Sequence, residues 1–221
     1  MQIRPLAIAL ILAGCAPAIQ PAPPTDMTLQ TRALSSQALF DAPRPHPTQV
    51  PNAQIVQDIL ELGFQLESGR EIPQLSRFEG PITLRLTGSL PPLAAVETDR
   101  LLDRLRTEAG LDIRRQTGPA NITVEFLPRA TMRRTVPEAS CFVVPNVSSW
   151  DAFRAALRGP GLNWADIKQR KRVLVVAPSD ATVQEMRDCL HEEVGQALGP
   201  LNDLYRIPGT VWNDDNFQTV L

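Results

Sequence analysis

Between positions 54 and 66 the apolar residues Ile55, Ile59, Leu62 and Leu66 fall three or four apart, the spacing of one helix face. The rhythm then changes to alternation at 81–86, where Ile82, Leu84 and Leu86 would share one face of a strand. A long amphipathic helix is predicted over 91–109, with Leu93, Val96, Leu101, Leu105 and Ala109 on one side and Gly110 as its stop. Positions 111–115 and 121–127 read as strands, and 141–144 as a further short one. A short helix over 150–157 is broken by Gly159-Pro160-Gly161. The continuous apolar run at 172–177 fits a strand covered on both faces. A last helix follows, capped by Ser179-Asp180 and supported by the capping box Thr182-x-x-Glu185, with Val183, Met186, Leu190, Val194 and Leu198 as its core face. This order predicts an α/β (α+β) domain: a twisted mixed sheet, a long backing helix and a helix near the C-terminus.

The first 52 positions follow another pattern. Arg4 precedes an apolar run from Leu6 to Leu12 that is too short to span a bilayer and reads as a secretory leader over 1–14. The run ends in Leu12-Ala13-Gly14-Cys15, which resembles a bacterial lipobox and implies lipidation of Cys15. Several acyl chains anchor a protein stably where one does not. Ala16, not Asp, follows the cysteine; by analogy with Gram-negative sorting, the expected location is the outer membrane, facing the periplasm. From 15 to 52 the chain is rich in proline, including Pro17, Pro21, Pro23, Pro24, Pro43, Pro45, Pro47 and Pro51. Such a linker would reach on the order of 100 Å if fully extended. The folded domain is therefore expected over 53–221.

Composition narrows the partners. The formal charge is −2, and aromatic residues make up 5% of the chain. With no basic run interleaved with aromatics, nucleic acid is excluded as an expected partner. Scarce aromatics also argue against a stacking platform for carbohydrate. Of the three cysteines, Cys141 and Cys189 remain after lipidation. In an oxidising compartment they form either a disulfide, which would fix the last helix, or two buried thiols that never meet.

Residues 192–203 read Glu-Glu-Val-Gly-Gln-Ala-Leu-Gly-Pro-Leu-Asn-Asp. Glu192 and Gln196, at i and i+4, would project side by side. Gly199 in a left-handed conformation would end the helix and bring Asn202 back beside them. The stretch resembles the zinc signature of the metzincin metallopeptidases, His-Glu-x-x-His-x-x-Gly-x-x-His, with all three histidines replaced. Glu192, Gln196 and Asn202 fall on the ligand positions, Glu193 on the general base and Gly199 on the turn glycine. Val194, Gly195, Ala197, Leu198 and Asp203 match residues common in that family. The resemblance implies the metzincin N-terminal subdomain over about 82–202, with Trp212 where that family has a methionine beneath its metal; Trp212 reads equally well as a plain core plug. Metzincins continue into a further helix that walls the substrate cleft, so against the resemblance the chain, which stops at Leu221, reads as either truncated or lacking that wall. The wider pattern resembles uncharacterised proteobacterial lipoproteins with Glu-Glu-x-x-Gln-x-Leu-Gly motifs.

Histidine counting bears on the metal. The chain has two histidines, His46 in the linker and His191 just before the first ligand position. Zinc sites are built from His, Cys and carboxylate, so no zinc cofactor is expected at the motif. An all-oxygen set suits a hard cation such as calcium. The other reading is a metal-free cluster in which Gln196 and Asn202 donate amide hydrogens to Glu192. The polar run Asn213-Asp214-Asp215-Asn216 reads as a solvated turn or a second calcium candidate. Functionally, the replaced ligands point to a pseudo-peptidase: a non-catalytic binding or scaffolding lipoprotein for an envelope protein or peptide. The alternative is a hydrolase with Glu193 as base, and a purely structural envelope role is the third reading.

Overall fold

The computed structural model describes residues 50–159, 161–207 and 210–213. The leader, Cys15, the linker up to residue 49 and Asp214, Asp215 and Asn216 lie outside the described residues. No helix among the described residues is long and apolar enough to cross a membrane.

The chain folds as a mixed α/β domain. Helix α1 (Asn52–Phe64) buries Leu62 and Gly63, but Ile59, assigned to the packed face, is 60% exposed. Strand β1 (Ile82–Gly88) leads into helix α2 (Ala94–Ala109), which Gly110 stops. At φ 65° that glycine holds the left-handed turn its missing Cβ permits. Strand β2 (Ile113–Arg115) returns parallel to β1, and β3 (Ile122–Leu127) lies along the other side of β1. After the short helix α3 (Arg129–Arg133) come β4 (Phe142–Pro145), helix α4 (Trp150–Ala156) and β5 (Val173–Pro178). The sheet order is β2-β1-β3-β5-β4, parallel except for the antiparallel edge strand β4.

All six residues of β5 are buried because both sheet faces are covered. Val173, Val175 and Ala177 join the core packed by Leu101, Leu102, Met186, Leu190 and Val194. Leu174 and Val176 point the other way, into a second cluster with Met132, Trp150 and Phe153. The strand's two-residue period sorts them. Each fully buried aliphatic or aromatic side chain stabilises the fold by roughly 1.5–3 kcal/mol.

The final helix, α5 (Val183–Leu198), starts where its capping box dictates. The Thr182 hydroxyl accepts from the Glu185 N–H, and the Glu185 carboxylate accepts from the Thr182 N–H. The cap is thus Thr182, not Ser179-Asp180; Asp180 instead accepts the N–H of Arg129. Met186, Leu190 and Val194 are buried as expected. Val183, at the first turn, is 37% exposed; Leu198 packs against the core as expected, partly buried, and Ala197 joins it fully buried. Cys141, just before β4, is disulfide-bonded to Cys189 of α5 across 48 residues, which excludes the separate-thiol reading. Closing that loop is worth about 4 kcal/mol on the chain-entropy model.

The far end of α5 differs from the expectation. Gly199 has φ −170°, an extended value and not the left-handed one. The helix end is held instead by Arg170, which is 2% exposed. Its guanidinium donates to the carbonyls of Gln196 and Gly199, the latter at 2.7 Å, and to Ser76 Oγ at 3.0 Å. It also stacks 4.7 Å over the Trp164 ring. A cation there meets both the orphan carbonyls and the negative end of the helix dipole. Burial pushes its pKa down to about 9, so it stays charged at neutral pH.

Candidate functional site

A cleft of about 460 Å³ opens along α5, bounded by the segment that enters β4. Glu185, Asp188, Cys189, Glu192 and Glu193 line it from the helix. Their spacing of three, four, seven and eight residues is what puts them on one stripe. Glu67, Glu138 and Asp203 add further carboxylates from three separate segments, and among the described residues Arg129 is the one basic lining residue. Glu67, Glu138, Glu185, Asp188, Glu192, Glu193 and Asp203 make seven acidic side chains in a chain whose formal charge is only −2. The negative charge is concentrated here.

Each carboxylate is held differently. Arg129 pairs with Glu185 at 3.3 Å, and the Thr182 N–H first, then Arg129, keeps Glu185 below the usual carboxylate range. Asp188 is pushed up to about 6, first by burial and then by the charge of Glu185, against the opposing hydrogen bond from Gln184 and the charge of Arg187. Its Oδ1 accepts from Gln184 at 2.8 Å, while Oδ2 has no hydrogen-bond partner among the described residues. Glu193 is 4% exposed and Glu192 is half-buried. Their carboxylates come within 4.8 Å of one another and of Cys141 Sγ, so the two neighbours converge more closely than a 100° helical step implies.

Two of the four motif positions therefore reach the cleft. The other two are buried and do not line it. Gln196, 2% exposed, donates through Nε2 to Glu67 Oε1 at 3.2 Å and to Asp203 Oδ1 at 3.3 Å. Asn202 donates to the Glu61 carbonyl at 3.3 Å. The anticipated amide-to-Glu192 cluster is thus replaced by one that ties the motif to α1 and to the residues just after it. A one-dimensional motif gave no signal for Glu67, which comes from 129 residues away. The acidic stripe at 185, 188, 192 could have been found from its helical spacing.

Trp212 packs against α5 at Gly195. A Cβ on Gly195 would stand 2.6 Å from Trp212 Cη2, so only glycine admits the ring there. The Trp212 carbonyl accepts the Leu204 N–H, anchoring this turn to the residues after the motif. Asn213, 2% exposed, lines the cleft and donates to the Tyr205 carbonyl at 2.8 Å, so it is not a solvated turn residue. His191 does not line the cleft and sits among Arg104, Glu97 and Arg187. Burial first, then the two arginines, push its pKa down to about 4, leaving it neutral at pH 7. Beside it Arg187 and Glu97, both buried, pair at 2.9 Å and join α5 to α2.

The model of a protein family of unknown function (DUF2927) matches residues 52–221. The chain belongs to that family. The match begins at the first residue of α1 and takes in the sheet, the cleft and the whole acidic stripe. A comparison with curated proteins gives no match.

Proposed function

We propose that this domain is a non-catalytic binding module on a metzincin-like scaffold, carried by a lipid-anchored protein of the Gram-negative envelope, and that its cleft captures a cationic segment of an envelope protein or peptide. The observation that carries the reading is that, among the described residues, seven carboxylates line the cleft against one arginine. Opposite charge in a concave, partly desolvated site steers a ligand and fixes its register. The order β1-α2-β2-β3-β4-β5-α5, with an antiparallel edge strand, supports a peptidase-like ancestry. So does Trp212 seated against the motif helix. Gln196 and Asn202 are engaged in hydrogen bonds to Glu67, Asp203 and Glu61, which fits lost ligand chemistry at those positions. The lipobox at 12–15 supports the anchor and the compartment.

The test is calorimetric titration of the full chain in detergent with an octalysine peptide and with a neutral octapeptide of Ser and Gly. Binding of the lysine peptide alone, weakened at least tenfold by Glu192→Gln/Glu193→Gln and by added salt, is the expected result. Equal binding of both peptides, or of neither at low salt, overturns the proposal. One observation favours a second reading, a hydrolase: Glu193 is buried in the cleft wall beside Glu192, where a base would sit. Hydrolysis of a peptide library, abolished by Glu193→Gln, would establish it in place of the binding role.

A further inference from the structure

Cys189, Glu192 and Glu193 occupy positions i, i+3 and i+4 of α5 and so share one helix face. Cys141 reaches them from the segment entering β4, and one donor atom from each of Cys141, Glu192 and Glu193 lies within 4.8 Å of the others. Cys189 Sγ is bonded to Cys141 Sγ. Three donors therefore stand together on the cleft wall, and the fourth, Cys189 Sγ, is one S–S bond away from Cys141 Sγ. Thiolate and carboxylate are zinc ligands, and four of them complete a tetrahedral site. While the sulfurs are bonded to each other they carry no charge and do not serve as ligands, since the thiolate is the binding form.

We propose that reduction of the Cys141–Cys189 disulfide converts this corner of the cleft into a zinc site with Cys141, Cys189, Glu192 and Glu193 as its ligands. The site shares only Glu192 with the three motif positions at which zinc was excluded, and it does not depend on the cationic-ligand reading. The reductant is a dithiol, of a protein or a small molecule. It delivers two electrons and two protons: the S–S bond breaks, two thiols form, and the reductant closes to its own disulfide. When Zn²⁺ enters, both thiols release their protons to solvent and two S–Zn bonds form.

Electrostatics makes the two events depend on each other. Two thiolates beside two carboxylates would crowd like charges into an already acidic cleft. A divalent cation offsets that repulsion. By linkage, zinc then favours the reduced form, and the disulfide excludes zinc. Ligands about 2.0–2.3 Å from a tetrahedral metal stand about 3.3–3.8 Å apart, so the sulfurs must separate and the carboxylates must close in on both of them.

The experiment uses the full chain in detergent, reduced with dithiothreitol, freed of it under argon and titrated with Co²⁺. The expected result is one equivalent bound, with a thiolate-to-cobalt charge-transfer band, retained far-UV circular dichroism and bleaching by Zn²⁺. The oxidised protein should show no such band. Glu192→Gln/Glu193→Gln should weaken cobalt binding at least tenfold with both thiols intact. Cys189→Ser, which leaves Cys141 in place, should retain a weaker band. Adding Zn²⁺ to a glutathione redox buffer should shift the equilibrium toward the dithiol. A folded, reduced protein without the band overturns the proposal. So does undiminished binding in the double glutamate variant, and so does a reduced chain that unfolds and does not refold with cobalt.

Discussion

Arg170→Met removes the guanidinium but keeps most of the apolar stem. In the wild type that group satisfies the Gln196 and Gly199 carbonyls and the Ser76 hydroxyl, and Ser76 is itself 1% exposed. Each buried polar group left without a partner costs about 1–3 kcal/mol. Against this stands the cost of burying the cation, visible in its pKa falling to about 9. The net loss we expect is about 3–4 kcal/mol, a fall of roughly 6–15 °C in Tm for a domain of this size. Urea unfolding followed by circular dichroism, with the disulfide intact, measures it. Arg170→Lys should recover little, because one ammonium cannot bridge two carbonyls and cover the Trp164 ring. Ser76→Ala should cost only about 1 kcal/mol. If Arg170→Met stays within 1 kcal/mol of wild type, or if Ser76→Ala costs as much, the arginine does not hold the helix end.

Three further outcomes are expected. Gly195→Ala, which forces a Cβ to within 2.6 Å of the Trp212 ring, should destabilise the domain by about 1–3 kcal/mol and shift tryptophan fluorescence; an unchanged Tm would show that the ring is not seated there. Asp188 has its folded pKa raised from 3.8 to about 6, so its ionisation opposes folding increasingly as pH rises through that window. Asp188→Asn should therefore raise Tm at pH 8, with the advantage disappearing below about pH 4; a pH-independent difference would refute the assignment. Burial alone would raise Glu97, but the hydrogen bond and charge of Arg187, then the charge of Arg100, outweigh it and hold the carboxyl below its ordinary 4.5. The stability it contributes is present above that value and lost as pH falls through the lower folded pKa. Glu97→Gln should cost about 1.5–3 kcal/mol at pH 7, by removing the carboxylate that pairs with buried Arg187, and should flatten the acid limb of a pH–Tm profile.

Local chemistry in the sequence determined the elements. The alternation at 82–86, the apolar run of β5 and the Thr182–Glu185 box act within a few residues, so no other part of the chain is needed to read them. The stripe shared by Glu185, Asp188 and Glu192 follows in the same way from helical period, whereas the approach of Glu193 to Glu192 is closer than a 100° step implies and was decided by the fold. The cysteine pair was legible as two alternatives, and only the approach of β4 to α5 decided for the disulfide. Packing overruled local expectation at Val183 and Ile59, where amphipathic spacing met no opposing surface. Gly199 was assigned the helix stop because glycine permits a left-handed turn, yet a buried arginine 29 residues earlier does the holding. Glu67 and Glu61 claim the amides of Gln196 and Asn202 from more than a hundred residues away. Hydrogen-bond partners of buried groups are chosen by proximity in space, and desolvation makes those choices costly to change. A motif fixes which groups are available; the fold decides whom they serve.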